Sequence, residues 1–135
     1  YLPRQTHKFT NSFTTSFSKT FCSIVTETRF EQPYGNFSEK TTITMAMLLP
    51  FILVAPPHTL RYLKLLGFKT FSDWWDESYD EEEDHTKRMI KIFNLIEYIN
   101  HFTIDELKNM HEEMIPVLDH NKEVLLSISN KKPLL

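Results

Sequence analysis

Ser38, Glu39 and Lys40 put a hydroxyl, a carboxylate and an ammonium on three consecutive residues, just before an apolar stretch that runs into Pro50. Ser38 has the chemistry of a helix N-cap, and the pattern predicts a helix over about 39–48, closed by Pro50. The first amides of such a helix have no intrahelical acceptor and carry partial positive charge, so they favour phosphate. Lys40 adds a full positive charge with three donors, and Glu39 an acceptor suited to ribose hydroxyls. Together they suit a nucleotide diphosphate. The plainer alternative is that Glu39 complements the helix dipole and Lys40 is solvated.

A second cluster lies at residues 73–84, DWWDESYDEEED, which hold eight of the eighteen acids and no Lys or Arg. Its carboxylates suit a hard cation, although the central glycine of an EF-hand loop is missing. The alternative is an exposed acidic loop whose last members favour the next helix N-terminus. Trp74 and Trp75 suit stacking on a sugar or a partner, with one of the two expected in the core. His111-Glu112-Glu113-Met114-Ile115 has Ile where a zincin helix needs its second His, and His101 and His120 read as surface or helix-end histidines. With only Gly35 and Gly67, the chain has no Gly-rich phosphate loop. A single cysteine, Cys22, excludes a disulfide framework and a cysteine zinc site, and its apolar neighbours indicate a packed thiol. Ser, His and Asp occur without a nucleophile elbow. Asn36-Phe37-Ser38 matches the glycosylation sequon, discounted for a chain expected inside the cell.

The elements that would carry these residues follow from periodicity. FCSIVTE, residues 21–27, reads as a strand, and residues 28–36 as a loop with Pro33 and Gly35 as turn formers. PFILVAP is fully apolar, as in a strand covered on both faces of a parallel sheet. Pro57 suits the first turn of a helix through Leu66, with Leu60, Leu63 and Leu66 on one face and Gly67 at its end. Strand, helix, strand, helix predicts a right-handed parallel βαβ unit, and FKTF a third strand. Met89, Ile92, Phe93, Ile96 and Ile99 form a helical stripe over about 84–100. Thr103 and Glu106 form a capping box opening a helix with Leu107, Met110, Met114 and Val117 inward, which Pro116 should kink or divide near Ile115. The expected fold class is α/β, a small parallel βαβα sheet followed by two or three C-terminal helices. The expected order is a connecting segment (1–20), the βαβα core (21–72), the acidic loop (73–84), the helices (85–130) and a tail (131–135).

The chain's 135 residues suit one domain, and 41% hydrophobic content with eleven Phe argues against disorder. The net charge is −3, and the bases are scattered, which argues against a nucleic-acid partner. No signal peptide is visible, and Met45–Ala55 is interrupted by Pro50 and too short to span a bilayer. A soluble, cytoplasmic protein is expected. The missing initiating Met and the connector-like first twenty residues suggest a fragment, a processed product or one domain of something longer.

The ordered segments FCSIVTET, NFSEKTTITMAMLLPFILVAPPHTLRYLKLLGFKTF resemble the donor-binding, C-terminal half of GT-B glycosyltransferases. The pattern is most similar to α1,3-fucosyltransferases, in which a strand ending in Glu precedes a loop, Thr-Glu-Lys at a helix start, and a P-(apolar run)-G-P turn. It also resembles uncharacterised, largely phage-encoded proteins with T-E-K-T, P-F-hydrophobic, L-K-x-L-G-F-K-T-F and D-E-S-Y-D segments. The resemblance covers about residues 20–100 and implies a Rossmann-like half of a GT-B fold. By it, Glu39 binds the ribose of a nucleotide sugar and Lys40 its diphosphate, while Glu27 stands at the sugar-proximal edge. Ser38, Pro57 and His58 complete the implied donor site. Ser38 replaces the family's Thr, the loop from Glu27 to Glu39 is longer, and Ala55-Pro56-Pro57 replaces the usual turn. The nucleotide and the sugar are therefore not carried over.

The implied reaction is displacement at an anomeric carbon, which needs a base for the acceptor and positive groups for the departing diphosphate. In GT-B enzymes the base usually lies on the other half, so a partner chain or a missing N-terminal half is expected. No cofactor is implied beyond the nucleotide sugar as substrate, and the compartment would be the host cytoplasm if the chain is viral. The reading from a different class is a non-catalytic structural or interaction domain that kept the scaffold, assembled through the 84–130 helices.

Overall fold

The computed structural model describes residues 20–31 and 37–131. The expectations for the connecting segment, the Pro33–Gly35 turn, the Asn36 end of the sequon and most of the tail lie outside the described residues. Ser23–Thr26 (β1) and Phe51–Val54 (β2) pair in parallel, Ser23 opposite Phe51 and Thr26 opposite Val54. The helices are Glu39–Ala46 (α1), Thr59–Leu65 (α2), His85–Asn100 (α3) and Ile104–Asn130 (α4), with a 3-10 turn at Ser78–Glu81. The architecture is α/β, a two-stranded parallel sheet and four α-helices among the described residues. None of these helices is long and apolar enough to cross a membrane.

The apolar run of β2 is covered on both faces, with Phe51, Ile52 and Leu53 all buried, as the sequence pattern predicts. In β1 only Val25 is buried, and Ile24 is half-exposed. Phe51, Phe71 and Trp75 form the aromatic centre, Phe71 meeting Phe51 edge-on at 5.0 Å and Trp75 at 5.5 Å.

Helix α1 starts at Ser38, whose Oγ accepts from the Lys40 amide at 3.2 Å. Its threonines are poor helix formers, so packing against both strands and α4 must hold it. Both ends of the βα pairs that follow close in the same way. After α1, the Leu49 amide donates to Thr44 O and Leu48 to Met45 O, with Leu48 in the left-handed region at φ 56°. After α2, Phe68 donates to Leu63 O and Gly67 to Lys64 O, with Gly67 at φ 99°. Gly67 therefore ends α2 as expected, while α1 turns on a leucine two residues ahead of Pro50.

Four expectations are corrected. FKTF is not a strand; the carboxamide of the buried Asn121 takes the place of a neighbouring strand, accepting from Lys69 N (2.8 Å) and donating to Lys69 O (2.9 Å). Leu66 is not on the buried face of α2, because Leu60 and Leu63 fill it and the helix ends one residue earlier. The buried stripe of α3 is Arg88, Ile92, Leu95 and Ile99, leaving Phe93 60% exposed. The fourth concerns Pro116, which does not divide α4: it lies inside a helix running from Ile104 to Asn130. Pro116 and Glu112, whose carbonyl loses its i+4 donor, both face solvent, where water supplies the missing partner. Thr103 and Glu106 form the expected capping box, and Met114 and Leu118 anchor the helix in the core.

Candidate functional site

Glu27 follows β1 and donates its amide to Val54 O, extending the strand pair by one bond. Its carboxylate reaches over the start of α1. Oε1 accepts from the Ser38 amide (3.0 Å) and from the Thr41 hydroxyl (2.8 Å). The amides of Ser23 and Glu27 point to β2, so by alternation the Thr26 carbonyl faces the open side of the strand. The Lys40 ammonium donates to that carbonyl at 3.1 Å. Residues separated by up to fourteen positions in the chain are thus gathered at the carboxyl edge of β1. Glu39 is exposed beside them, with no side-chain hydrogen bond or ion pair among the described residues. The cavity touching Lys40 is about 240 Å³ and is walled by β1, Ile43 and Thr44. That is below the roughly 300–1,000 Å³ usual for ligand sites.

Pro57 and His58 follow β2 at the same edge. Pro57 is buried, and His58 takes a left-handed backbone (φ 66°) as the N-cap of α2 without capping it through its side chain. Asp80 caps that helix instead. Its Oδ1 accepts from Leu60 N (2.8 Å), its Oδ2 from Arg61 N (3.1 Å), and its backbone carbonyl from His58 N (2.7 Å). The His58 ring lies between Glu81 (3.5 Å) and Glu83 (3.4 Å). Phe37, just before α1, packs on Tyr62 of α2 at 5.8 Å, which links the two groups.

The acidic segment is therefore not a uniformly exposed loop. Asp80 is buried, and burial raises its carboxyl pKa against the opposing pull of the Leu60 and Arg61 amides. Glu77 is half-buried and raised for the same reason, while accepting from the Thr70 hydroxyl (2.6 Å) and Phe71 N (3.2 Å). Asp84, by contrast, caps α3 through the Lys87 amide, which lowers its pKa, and so acts as expected of the last acids in the run. His58, Asp80 and Glu81 bring ligand atoms within 4.8 Å of one another. Both Asp80 oxygens already serve α2, whereas the His58 Nδ1 is buried and lies 3.5 Å from Glu81 without a hydrogen bond.

Arg88 is the residue that sequence reasoning missed. It is 1% exposed, and the only signal was a cation on the apolar register of α3. Its guanidinium donates to Glu82 O (3.0 Å), to Phe30 O (2.7 Å) and to His85 Nδ1 (3.0 Å), and stacks over the Phe30 ring at 4.0 Å. All eighteen carboxylate side chains are among the described residues, and none pairs with it. Burial lowers its pKa while Asp80, Asp84 and Glu82 raise it from a distance. Arg88 fastens the loop after β1 to the acidic segment.

The remaining sequence candidates have structural roles. Burial pushes the Cys22 thiol up to about 12, which makes it a packed thiol rather than a nucleophile. Trp75 is the core member of the tryptophan pair, and Trp74 donates its indole N–H to Glu113 at 3.0 Å. His101 caps the C-terminus of α3, and His120 bonds Gly67 O at 2.8 Å. Comparison of the chain with protein-family models, curated proteins and solved structures found no match, so the resemblance to fucosyltransferases rests on residues of this sequence alone.

Proposed function

We propose that the chain is a glycosyltransferase-like domain that binds a nucleotide sugar at the carboxyl edge of β1 and leaves the acceptor's base to a partner chain or another half. The observation that carries this reading is the convergence of Glu27, Ser38 and Lys40 at the start of α1, where a parallel strand delivers its loop. In this reading the strand pair and its helices are the core of a Rossmann-like half. Lys40 leaves the Thr26 carbonyl for the diphosphate, a stronger acceptor because it is charged. Glu39, uncommitted and exposed, accepts from ribose hydroxyls, and Pro57 and His58 border the same edge. The same positive groups would stabilise the diphosphate as the glycosidic bond breaks.

A specific observation favours the second reading, a non-catalytic structural or interaction domain. Carboxylates of the chain itself already sit at both helix starts, Glu27 at α1 and Asp80 at α2. An internal anion there does the stabilising that a phosphate would otherwise do.

Calorimetric titration with uridine-, guanosine- and cytidine-nucleotide sugars separates the two. The donor reading expects saturable binding by at least one of them, weakened about tenfold or more by Lys40→Ala, since a charge-assisted bond contributes about 1.5–3 kcal/mol. Heats no larger than dilution for every donor, or an affinity unchanged by Lys40→Ala, would leave the structural reading standing.

A further inference from the structure

The His58 ring has a carboxylate beside each of its nitrogens. Nε2 meets Glu83 Oε1 at 3.4 Å in hydrogen-bonding geometry, a contact that the neutral ring satisfies with its proton on Nε2. Nδ1 then carries a lone pair. It is buried without a hydrogen-bond partner, and it lies 3.5 Å from Glu81 Oε2. Two acceptors thus face each other across a short gap. Asp80 borders the same gap, since one ligand atom from each of His58, Asp80 and Glu81 lies within 4.8 Å of the other two. Among the described residues, no Lys or Arg pairs with Asp80, Glu81 or Glu83. Three carboxylates also outweigh the partial positive charge at the start of α2.

A cation between the two acceptors removes their conflict, and the spacing suits a metal ion. Neighbouring ligands of a tetrahedral zinc, each about 2.0–2.2 Å from the ion, stand about 3.3–3.6 Å apart. The His58–Glu81 separation of 3.5 Å falls in that range. Three atoms no more than 4.8 Å apart share a point about 2.8 Å or less from each, so shifts of under about 1 Å close the set on an ion. The Glu81 side chain, 63% exposed, is the arm that can swing out to admit it. The supporting contacts are those that metal ligands use. The Leu60 and Arg61 amides orient Asp80, each of whose oxygens keeps a second lone pair, and Glu83 holds the ring by its other nitrogen.

We infer that His58 Nδ1, Asp80 and Glu81 bind a divalent transition ion of the zinc type, with water as the fourth ligand. Imidazole together with carboxylates suits such ions, whereas Mg²⁺ and Ca²⁺ prefer oxygen ligands alone. The site needs no nucleotide and does not depend on the donor reading of Lys40.

Calorimetric titration of the chelator-treated full chain with Zn²⁺, and separately with Mg²⁺ and Ca²⁺, tests the inference. The expected result is saturable binding of one Zn²⁺ per chain that raises the Tm. Glu81→Gln, at an exposed position, and His58→Asn should each weaken it about 100-fold or more. Asparagine is chosen at position 58 because it tolerates the left-handed backbone there (φ 66°), and circular dichroism checks the folding of each variant. Asp73→Asn removes a charge from the same acidic run without touching a ligand, and should leave the affinity unchanged. The inference is overturned if the folded protein does not saturate with Zn²⁺, or if either His58→Asn or Glu81→Gln binds it as tightly as the native chain. It is equally overturned if Ca²⁺ or Mg²⁺ binds as tightly as Zn²⁺, or if Asp73→Asn weakens binding as much as Glu81→Gln, because the acidic run would then attract cations without the imidazole.

Discussion

Replacing Asp80 tests how the acidic segment is used. The residue is 6% exposed, and its carboxylate accepts one bond on each oxygen, from Leu60 and Arg61, at the start of a seven-residue helix. Asp80→Ala removes both acceptors and leaves two amides at the α2 start unpaired. Hydrogen bonds to a charged group contribute about 1.5–3 kcal/mol each. The same substitution relieves the desolvation of a carboxylate whose pKa is raised chiefly by burial, which offsets part of that loss. The net loss is therefore about 2–4 kcal/mol, a large share of the roughly 5–15 kcal/mol that holds a domain together. With a urea dependence of about 1–3 kcal/mol/M, the midpoint at pH 7 should fall by about 1–2 M. Asp80→Asn keeps an acceptor for one amide, sets its NH₂ against the other and removes the charge, so about half that loss is expected. Equilibrium urea unfolding followed by far-UV circular dichroism reads all three proteins. A shift below about 0.5 M for Asp80→Ala, or an Asn variant as unstable as the Ala variant, would refute the assignment of Asp80 as the cap of α2.

Three further outcomes follow from the same contacts. Asn121→Ala should cost about 1–3 kcal/mol in urea unfolding, because it strands the amide and the carbonyl of Lys69; Asn121→Leu should not rescue it. Burial raises the folded-state pKa of Glu77, so its stabilising contribution is full below the unfolded value near 4.3 and is lost as pH rises through the folded value. Lowering the pH from 7 toward about 4.3 should therefore raise the Tm of the native sequence relative to Glu77→Gln, and parallel Tm profiles would contradict this. Cys22, with its thiol pushed up to about 12, should react with a disulfide reagent at pH 8 much more slowly in the folded protein than in urea, as read by thiolate release.

The local signals in this chain were legible because the physics behind them is local. Ser38, Gly67 and the Thr103–Glu106 pair each satisfy backbone groups within a few residues, and each does so in the structure. The buried run of β2 was legible because a strand covered on both faces has no polar side to reveal. What remained hidden depends on pairings between distant residues. Nothing distinguishes Asp80 from Glu81 in the sequence, yet one caps a helix twenty positions back and the other faces solvent. Asn121 completes a backbone fifty-two residues away, which turned an apparent strand into an extended segment bonded to a side chain. Arg88 broke the apolar rhythm of α3, and the carbonyls of Phe30 and Glu82, His85 and the Phe30 ring together explain how a cation is tolerated there.

At the candidate site, the sequence placed a cap and two charges at a helix start, and the structure adds that Glu27 is bonded to that start as well. Whether a diphosphate displaces Glu27's hold and draws Lys40 from Thr26 is the question on which the donor reading depends. Amide chemical-shift mapping of the ¹⁵N-labelled chain during titration with nucleotide sugars addresses it residue by residue. Binding as proposed moves the Glu27, Ser38, Glu39, Lys40 and Thr41 amides together in a saturable way. Saturating shifts confined to other parts of the chain, or no shifts with any donor, would contradict it.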